Sequence, residues 1–149
     1  MPRVSVAERV GPQTSVLLVE DDYDVRDALV PILEYDGHRV SSAANGREAL
    51  DQLRANPAPS LILLDLMMPV MDGIAFRTEQ LRDPELASIP VVVVSADPAL
   101  REKAIRLGAV GWIEKPIDID VLLDEVRRAA QPRATSNAAT PDTTLAGRR

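Results

Sequence analysis

The stretch LILLDLMMPVMDG, residues 61–73, decides the reading of the chain. Leu61 to Leu64 form an unbroken apolar run after the breaker NPAPS (56–60), and such a run reads as a strand buried on both faces. Asp65 follows where that strand should surface. Asp72 can then cap a helix running to about Arg82, with Ile74, Ala75, Thr78 and Leu81 expected to face inward. A buried strand, a lone carboxylate at its end and a capped helix make one βα unit.

Working outward, the same unit recurs. On the amino-terminal side, SVLLVE (15–20) reads as a buried strand. Val25, Leu29, Ile32 and Leu33 then fall on one helical face, which Gly37 stops. Pro31 removes a backbone donor inside that helix, so a kink or a weak bond is expected there. HRVSSA (38–43) is a short second strand. Asn45 caps the next helix, Glu48 stands three residues on as in a capping box, and Ala49, Leu50 and Leu53 supply its apolar side. On the carboxyl-terminal side, DPELASIP (83–90) breaks the third helix and VVVV (91–94) is a fourth strand, apolar on both faces. Asp97-Pro98 is an N-cap followed by Pro at the first helical position, and Gly108 ends that helix. VGWI (110–113) is a short fifth strand, and a last helix from Asp118 carries Ile119, Leu122, Leu123 and Val126 on one face.

Five βα units imply an α/β fold, a parallel sheet covered by helices on both faces. The folded unit spans residues 15–130, about 115 residues, an ordinary domain size. Residues 1–14 read as a flexible arm. Residues 131–149, QPRATSNAATPDTTLAGRR, have no apolar period and read as a disordered tail.

Composition narrows the function. Aromatic residues are only 3% of the 149, which argues against base-stacking nucleic-acid modules. A net charge of -6 disfavours nonspecific binding to a phosphate backbone. The absence of cysteine excludes disulfide and thiolate-metal sites, and fits a reducing compartment. The single histidine, His38, excludes a histidine-cluster metal site and reads as a surface or strand-edge residue. No apolar run approaches the ~18 residues of a membrane span, and the first fifteen residues lack a signal-peptide core. The expectation is a cytoplasmic protein with no membrane contact.

In open parallel sheets, chemistry gathers at the carboxyl ends of the strands. Those ends carry Glu20, Asp21 and Asp22, then Asp65, then Ser95, then Glu114, Lys115 and Pro116. Any one of these is more often a solvated strand end or a cap. The set, at four of five strands, has complementary chemistry. Two carboxylates about 5 Å apart repel by roughly 3 kcal/mol at an effective dielectric of about 20. A divalent cation removes that cost, and an all-carboxylate donor set suits a hard ion such as Mg²⁺. A carboxylate beside that ion can attack a phosphoryl group, with Ser95 and Lys115 available to bind its oxygens.

These pieces, LLVEDDYDVR (17–26), LILLDLMMPVMDG (61–73), VVVVSAD (91–97) and GAVGWIEKP (108–116), with the closing amphipathic helix, resemble the receiver domain of bacterial response regulators. Five motifs fall in the family's order over roughly residues 15–130. The resemblance implies a doubly wound, flavodoxin-like (βα)5 fold with strand order 2-1-3-4-5. It makes Asp65 the phosphoacceptor, taking a phosphoryl group from a sensor histidine kinase or a histidine phosphotransfer protein. It makes Glu20 and Asp21 the acidic pair, because Arg26 stands five residues after Asp21, as the family commonly has it. Asp21, Asp65 and the Met67 backbone carbonyl would ligate Mg²⁺ directly, and Glu20 through water. Ser95 and Lys115 would bind the phosphoryl oxygens, the Lys115-Pro116 bond would be cis, and Trp112 stands at the family's switching Tyr or Phe. Met67 and Asp97 occupy positions that tune phosphoryl lifetime. The interval from Ser95 to Lys115 is about two residues short of the family's common spacing, which points to a trimmed fourth helix or the loop before it.

The resemblance further implies a phosphorylation-controlled switch, not an enzyme acting on outside substrates. It would catalyse only its own phosphorylation and dephosphorylation, and its partner binding would change through the face formed by the fourth helix, the fifth strand and the fifth helix. No output domain is recognisable after the last helix, so a stand-alone regulator is expected. Its downstream partner would be a protein, without direct nucleic-acid contact, and it would be a monomer or a phosphorylation-dependent dimer. Two other readings compete. Aspartyl-nucleophile phosphatases usually carry a second Asp two residues after the first, where this chain has Met67. A non-switching adaptor with the same fold is the remaining alternative.

Overall fold

In a computed structural model of the chain, residues 14–131 are described. The loose arm and the polar tail read from the sequence therefore lie almost wholly outside the described residues. Between them five strands and five helices alternate: β1 (Thr14–Val19), α1 (Tyr23–Tyr35), β2 (His38–Ala43), α2 (Gly46–Ala55), β3 (Leu61–Asp65), α3 (Gly73–Arg82), β4 (Val91–Ser95), α4 (Arg101–Arg106), β5 (Gly111–Glu114) and α5 (Ile119–Ala129). A 3-10 turn, Pro98–Leu100, leads into α4. The strands form one sheet in the order β2-β1-β3-β4-β5, and every pairing is parallel. The covered parallel sheet is what the alternation implied, and its doubly wound order is what the resemblance implied.

The two-sided apolar runs explain the layering. Side chains alternate across a strand, so each central strand feeds both faces. Leu17, Val19, Ile62, Leu64, Val91 and Val93 join Leu50 and Leu53 of α2, Phe76 of α3 and Ala104 of α4 in one core. Val16, Leu18, Leu61, Leu63, Val92 and Val94 join Leu29 and Leu33 of α1 and Leu122, Val126 and Ala129 of α5 in the other. Each such leucine contributes roughly 1.5–3 kcal/mol when fully buried.

Caps set where the helices begin. Asp22, Asn45, Asp72 and Asp118 each accept hydrogen bonds from first-turn amides of α1, α2, α3 and α5. The Glu48 carboxylate reaches back to the Ala44 N–H at 2.9 Å, one residue earlier than a standard capping box. Gly37, at φ 102°, takes the left-handed turn that ends α1. Pro31 lies inside α1, which runs through it with the ring on the exposed side.

The inward face of α3 differs from the sequence expectation. Phe76, Arg77 and Gln80 are buried, whereas Ala75 and Leu81 are exposed and Ile74 and Thr78 are half-buried. Hydrogen bonding is the cause. The Arg77 guanidinium donates to the carbonyls of Leu107 at 2.9 Å and Gly108 at 3.4 Å, and to Gln80 Oε1 at 2.8 Å. The Gln80 amide donates to the carbonyls of Leu86 at 2.9 Å and Ile89 at 3.1 Å. Burial of these two polar groups is tolerable because each is satisfied. His38 begins an edge strand, as one of its two expected placements had it, but it is buried and not at the surface.

Candidate functional site

Strand register builds the site. Val19 pairs with Leu64, Asp65 with Val94 and Ser95 with Glu114, so the carboxyl ends of β1, β3, β4 and β5 lie side by side. One carboxylate oxygen from each of Glu20, Asp21 and Asp65 lies within 4.8 Å of the others. Glu20 and Asp65 are buried and Asp21 is exposed. Asp22 is not in this group, because its carboxylate is engaged as the α1 cap, bonded to the amides of Asp24 and Val25.

Lys115 is the cation facing the acids. Its Nζ stands 3.5 Å from both Glu20 Oε1 and Asp65 Oδ1. The Lys115 amide donates to the Ser95 carbonyl at 3.1 Å, which ties β5 to β4 beside the site. The Lys115–Pro116 peptide bond is cis. Ser95 is fully buried, and its hydroxyl oxygen accepts from the Asp97 N–H at 3.1 Å. The Met67 N–H donates to Asp65 Oδ1 at 3.2 Å, while the Met67 side chain is exposed. The Arg26 guanidinium donates to the Glu20 carbonyl at 2.6 Å, closing the β1–α1 turn from one helical turn away.

The charges do not balance. Burial pushes the Glu20 carboxyl up to about 7, and the nearby Asp65 charge adds to the rise, while the Asp22 amide and Lys115 oppose it. Burial also raises Asp65, against the Met67 amide and Lys115. The donor set is all oxygen, and burial disfavours the charged form of two of its members, Glu20 and Asp65. That set fits a hard divalent cation.

Trp112 sits farther along the sheet. It pairs in register with Val93 and packs half-buried against the core shared by α2, α3 and α4. The Arg101 guanidinium lies 6.0 Å from its ring centroid. Among the described residues its buried indole N–H has no hydrogen-bond partner.

The sequence reading missed Gly46, Met71 and Gly73 around the acceptor loop. The Gly46 amide donates to the Met71 carbonyl at 3.0 Å, and the Gly73 amide to the Leu66 carbonyl at 3.1 Å. The motif MDG was visible, but contact with Gly46, on another element, has no local signature.

Comparison with known proteins agrees with this geometry. Residues 16–127 match the family model of the response regulator receiver domain. The chain is 37% identical over 123 residues to the C4-dicarboxylate transport transcriptional regulatory protein DctD of Pseudomonas aeruginosa, covering 81% of this chain and 26% of that protein. It is 36% identical over 129 residues to the response regulator MprA of Mycolicibacterium vanbaalenii, covering 85% of this chain and 52% of that protein. It thus spans between a quarter and about half of these relatives. Among solved structures, the chemotaxis protein CheY4 of Vibrio cholerae superposes with a TM-score of 0.72 at 28% identity, covering 78% of this chain and 98% of that one. The signal receiver domain of a histidine kinase from Syntrophus aciditrophicus gives 0.72 at 32% identity, covering 90% and 99%. With the family model spanning the sheet and both helical layers, the chain belongs to the receiver domains of two-component response regulators, whose role is that of a phosphorylation switch.

Proposed function

We propose that Asp65 is the phosphoacceptor of this receiver, with a phosphohistidine on a sensor kinase or phosphotransfer protein as donor. One observation carries the reading: three carboxylates converge within 4.8 Å, with the Lys115 ammonium 3.5 Å from two of them. An Asp65 carboxylate oxygen forms the new P–O bond as the P–N bond to the donor imidazole breaks. Lys115 turns its ammonium from the carboxylates to a phosphoryl oxygen. The Ser95 hydroxyl, on the adjacent strand end, donates to another. Glu20, Asp21, Asp65 and the Met67 carbonyl would hold Mg²⁺, which supplies the positive charge that lets acids and phosphoryl group share one site. Loss of the phosphoryl group to water uses the same groups.

The readout proposed is the α4-β5-α5 face. Ile105 of α4 and Ile119 and Val121 of α5 are exposed apolar residues there, with Trp112 on β5 between the two helices in sequence. Phosphorylation shifts the population toward the conformer in which Ser95 and Trp112 have moved, and a downstream protein reads it. Cytoplasmic action is part of this proposal, and no helix of the described residues is long and apolar enough to cross a membrane.

The test is an intact-mass measurement after incubation with a small acyl phosphate, with and without Mg²⁺. The expected result is one phosphoryl group gained with Mg²⁺ and none in Asp65→Asn. No gain together with no Mg²⁺ binding refutes the reading.

A further inference from the structure

The loop between β3 and α3 carries a strained turn. Val70 has φ 67°, a left-handed conformation that disfavours β-branched side chains. It sits in a tight reverse turn, with the Met71 N–H bonded to the Pro69 carbonyl at 2.7 Å. The Val70 side chain is 83% exposed, so it buries nothing that would offset the strain. Contacts elsewhere must hold the loop.

Two glycines make those contacts. At the far end, a Cβ on Gly73 would stand 2.6 Å from the Asp65 carbonyl oxygen and 2.7 Å from Leu66 Cα. At the turn, the Gly46 amide holds the Met71 carbonyl at 3.0 Å. A Cβ on Gly46 would stand 2.8 Å from Met71 Cγ, 2.9 Å from its carbonyl oxygen and 3.0 Å from its sulfur. Met71 is thus seated in the space that the Gly46 side chain leaves empty, and its own side chain packs against the core below. Gly46 is the first residue of α2 and belongs to no part of the acidic cluster.

We infer that Gly46 is a positioning residue for phosphoryl transfer: it latches the loop that carries Met67, and so sets where the Met67 carbonyl stands beside Asp65. The inference rests on the Mg²⁺-assisted reading of the site. Its logic is steric. Any side chain at 46 pushes the Met71 carbonyl outward, the Val70 turn opens, and the backbone between Asp65 and Met71 shifts with it.

The experiment compares the full-length protein with Gly46→Ala, Met71→Ala and the double variant. Mg²⁺ affinity is read by calorimetric titration, and amide exchange of residues 67, 68 and 70–72 in metal-free protein is read by NMR. Alanine is the better helix former, so α2 itself is not weakened by the change. Gly46→Ala is expected to bind Mg²⁺ about tenfold more weakly, and its loop amides to exchange faster while those of β1 and β3 do not, a loss of about 1.4 kcal/mol. The double variant should recover part of the affinity, because the Cγ and sulfur contacts are gone and only the carbonyl contact remains. Met71→Ala alone should stay within about threefold of the parent. Should Gly46→Ala not fold, the double variant against Met71→Ala carries the same comparison, and affinity must be weaker in the double. Unchanged Mg²⁺ affinity in Gly46→Ala, or equal weakness in the single and double variants, overturns the inference. Failure of the parent to bind Mg²⁺ at all would instead overturn the reading of the site on which it rests.

Discussion

Buried ionisable groups occur at both ends of this sheet, and they are treated differently. At the amino ends of the strands, buried His38 bridges two partners: its Nδ1 meets the Thr14 hydroxyl and its Nε2 meets Asp36 at 3.1 Å. Asp36 is in turn gripped by the Arg127 guanidinium at 2.5 and 3.0 Å. Every charge there has an opposite or a hydrogen bond, and Asp36 is held below its ordinary value, burial being outweighed by Arg127 and His38. At the carboxyl ends, two buried acids and an exposed one cluster, and Lys115 stands 3.5 Å from the two buried ones. One end is balanced and serves to tie α1, β1, β2 and α5 together. The other is left short of positive charge, and a site short of charge is one that can take up a cation and then a phosphoryl group.

The sharpest way to break this comparison is by pH. Glu20 is raised from 4.5 to about 7, so the folded state holds a proton that the unfolded state has released. Its contribution to stability is fully present below about 4.5 and is lost as pH rises through about 7, on the order of 2–3 kcal/mol. Asp36 has the opposite sign: its stabilisation is present above its ordinary value of 3.8 and is lost as pH falls through its lowered one. Urea unfolding between pH 4.5 and 8 should therefore show stability falling with pH. Saturating Mg²⁺ should flatten that slope, and a slope indifferent to Mg²⁺ would falsify the assignment of the deficit to the cluster.

Removing Asp36 tests the balanced end. Asp36→Ala leaves buried His38 without one partner and is expected to cost about 2 kcal/mol, with no change in phosphoryl uptake. Removing Asp65 tests the other end with the reverse sign. Asp65→Asn should abolish phosphoryl uptake yet raise the unfolding free energy at pH 8 by about 1–2 kcal/mol, since one of two repelling buried charges is gone. A loss of stability in Asp65→Asn would mean that Lys115 already compensates the acids. The smallest effect is expected at Val70. Val70→Gly relieves the left-handed turn and should gain about 1 kcal/mol in thermal or urea unfolding, partly offset by the freer unfolded chain.

What could be read beforehand followed from local chemistry. The two-sided runs at Leu61–Leu64 and Val91–Val94 announced central parallel strands, and Asp72 and Asp118 announced helix starts, because burial and capping act within a few residues. The meeting of acids from the ends of β1 and β3 followed once the strand ends were known, but the choice of Glu20 and Asp21 over Asp22 came from the family resemblance. The inward face of α3 was illegible, because Arg77 and Gln80 look like surface residues until the carbonyls of residues 86, 89, 107 and 108 are placed beside them. Burial of His38 was hidden for the same reason: its partners include Thr14, 24 residues away, and through Asp36 the distant Arg127.

The Arg77–Gln80 pair makes assembly conditional. An apolar helix face will settle on any greasy surface, but a guanidinium and an amide cannot be buried until carbonyls arrive to receive them. Those carbonyls belong to the segment after α3 and to the turn after α4, as far as 31 residues along the chain. Burial of Arg77 therefore requires the turn after α4 to be in place, while Gln80 needs only the segment after α3. The Arg77 end of α3 and the turn after α4 are expected to open together, and amide exchange in the two segments checks this.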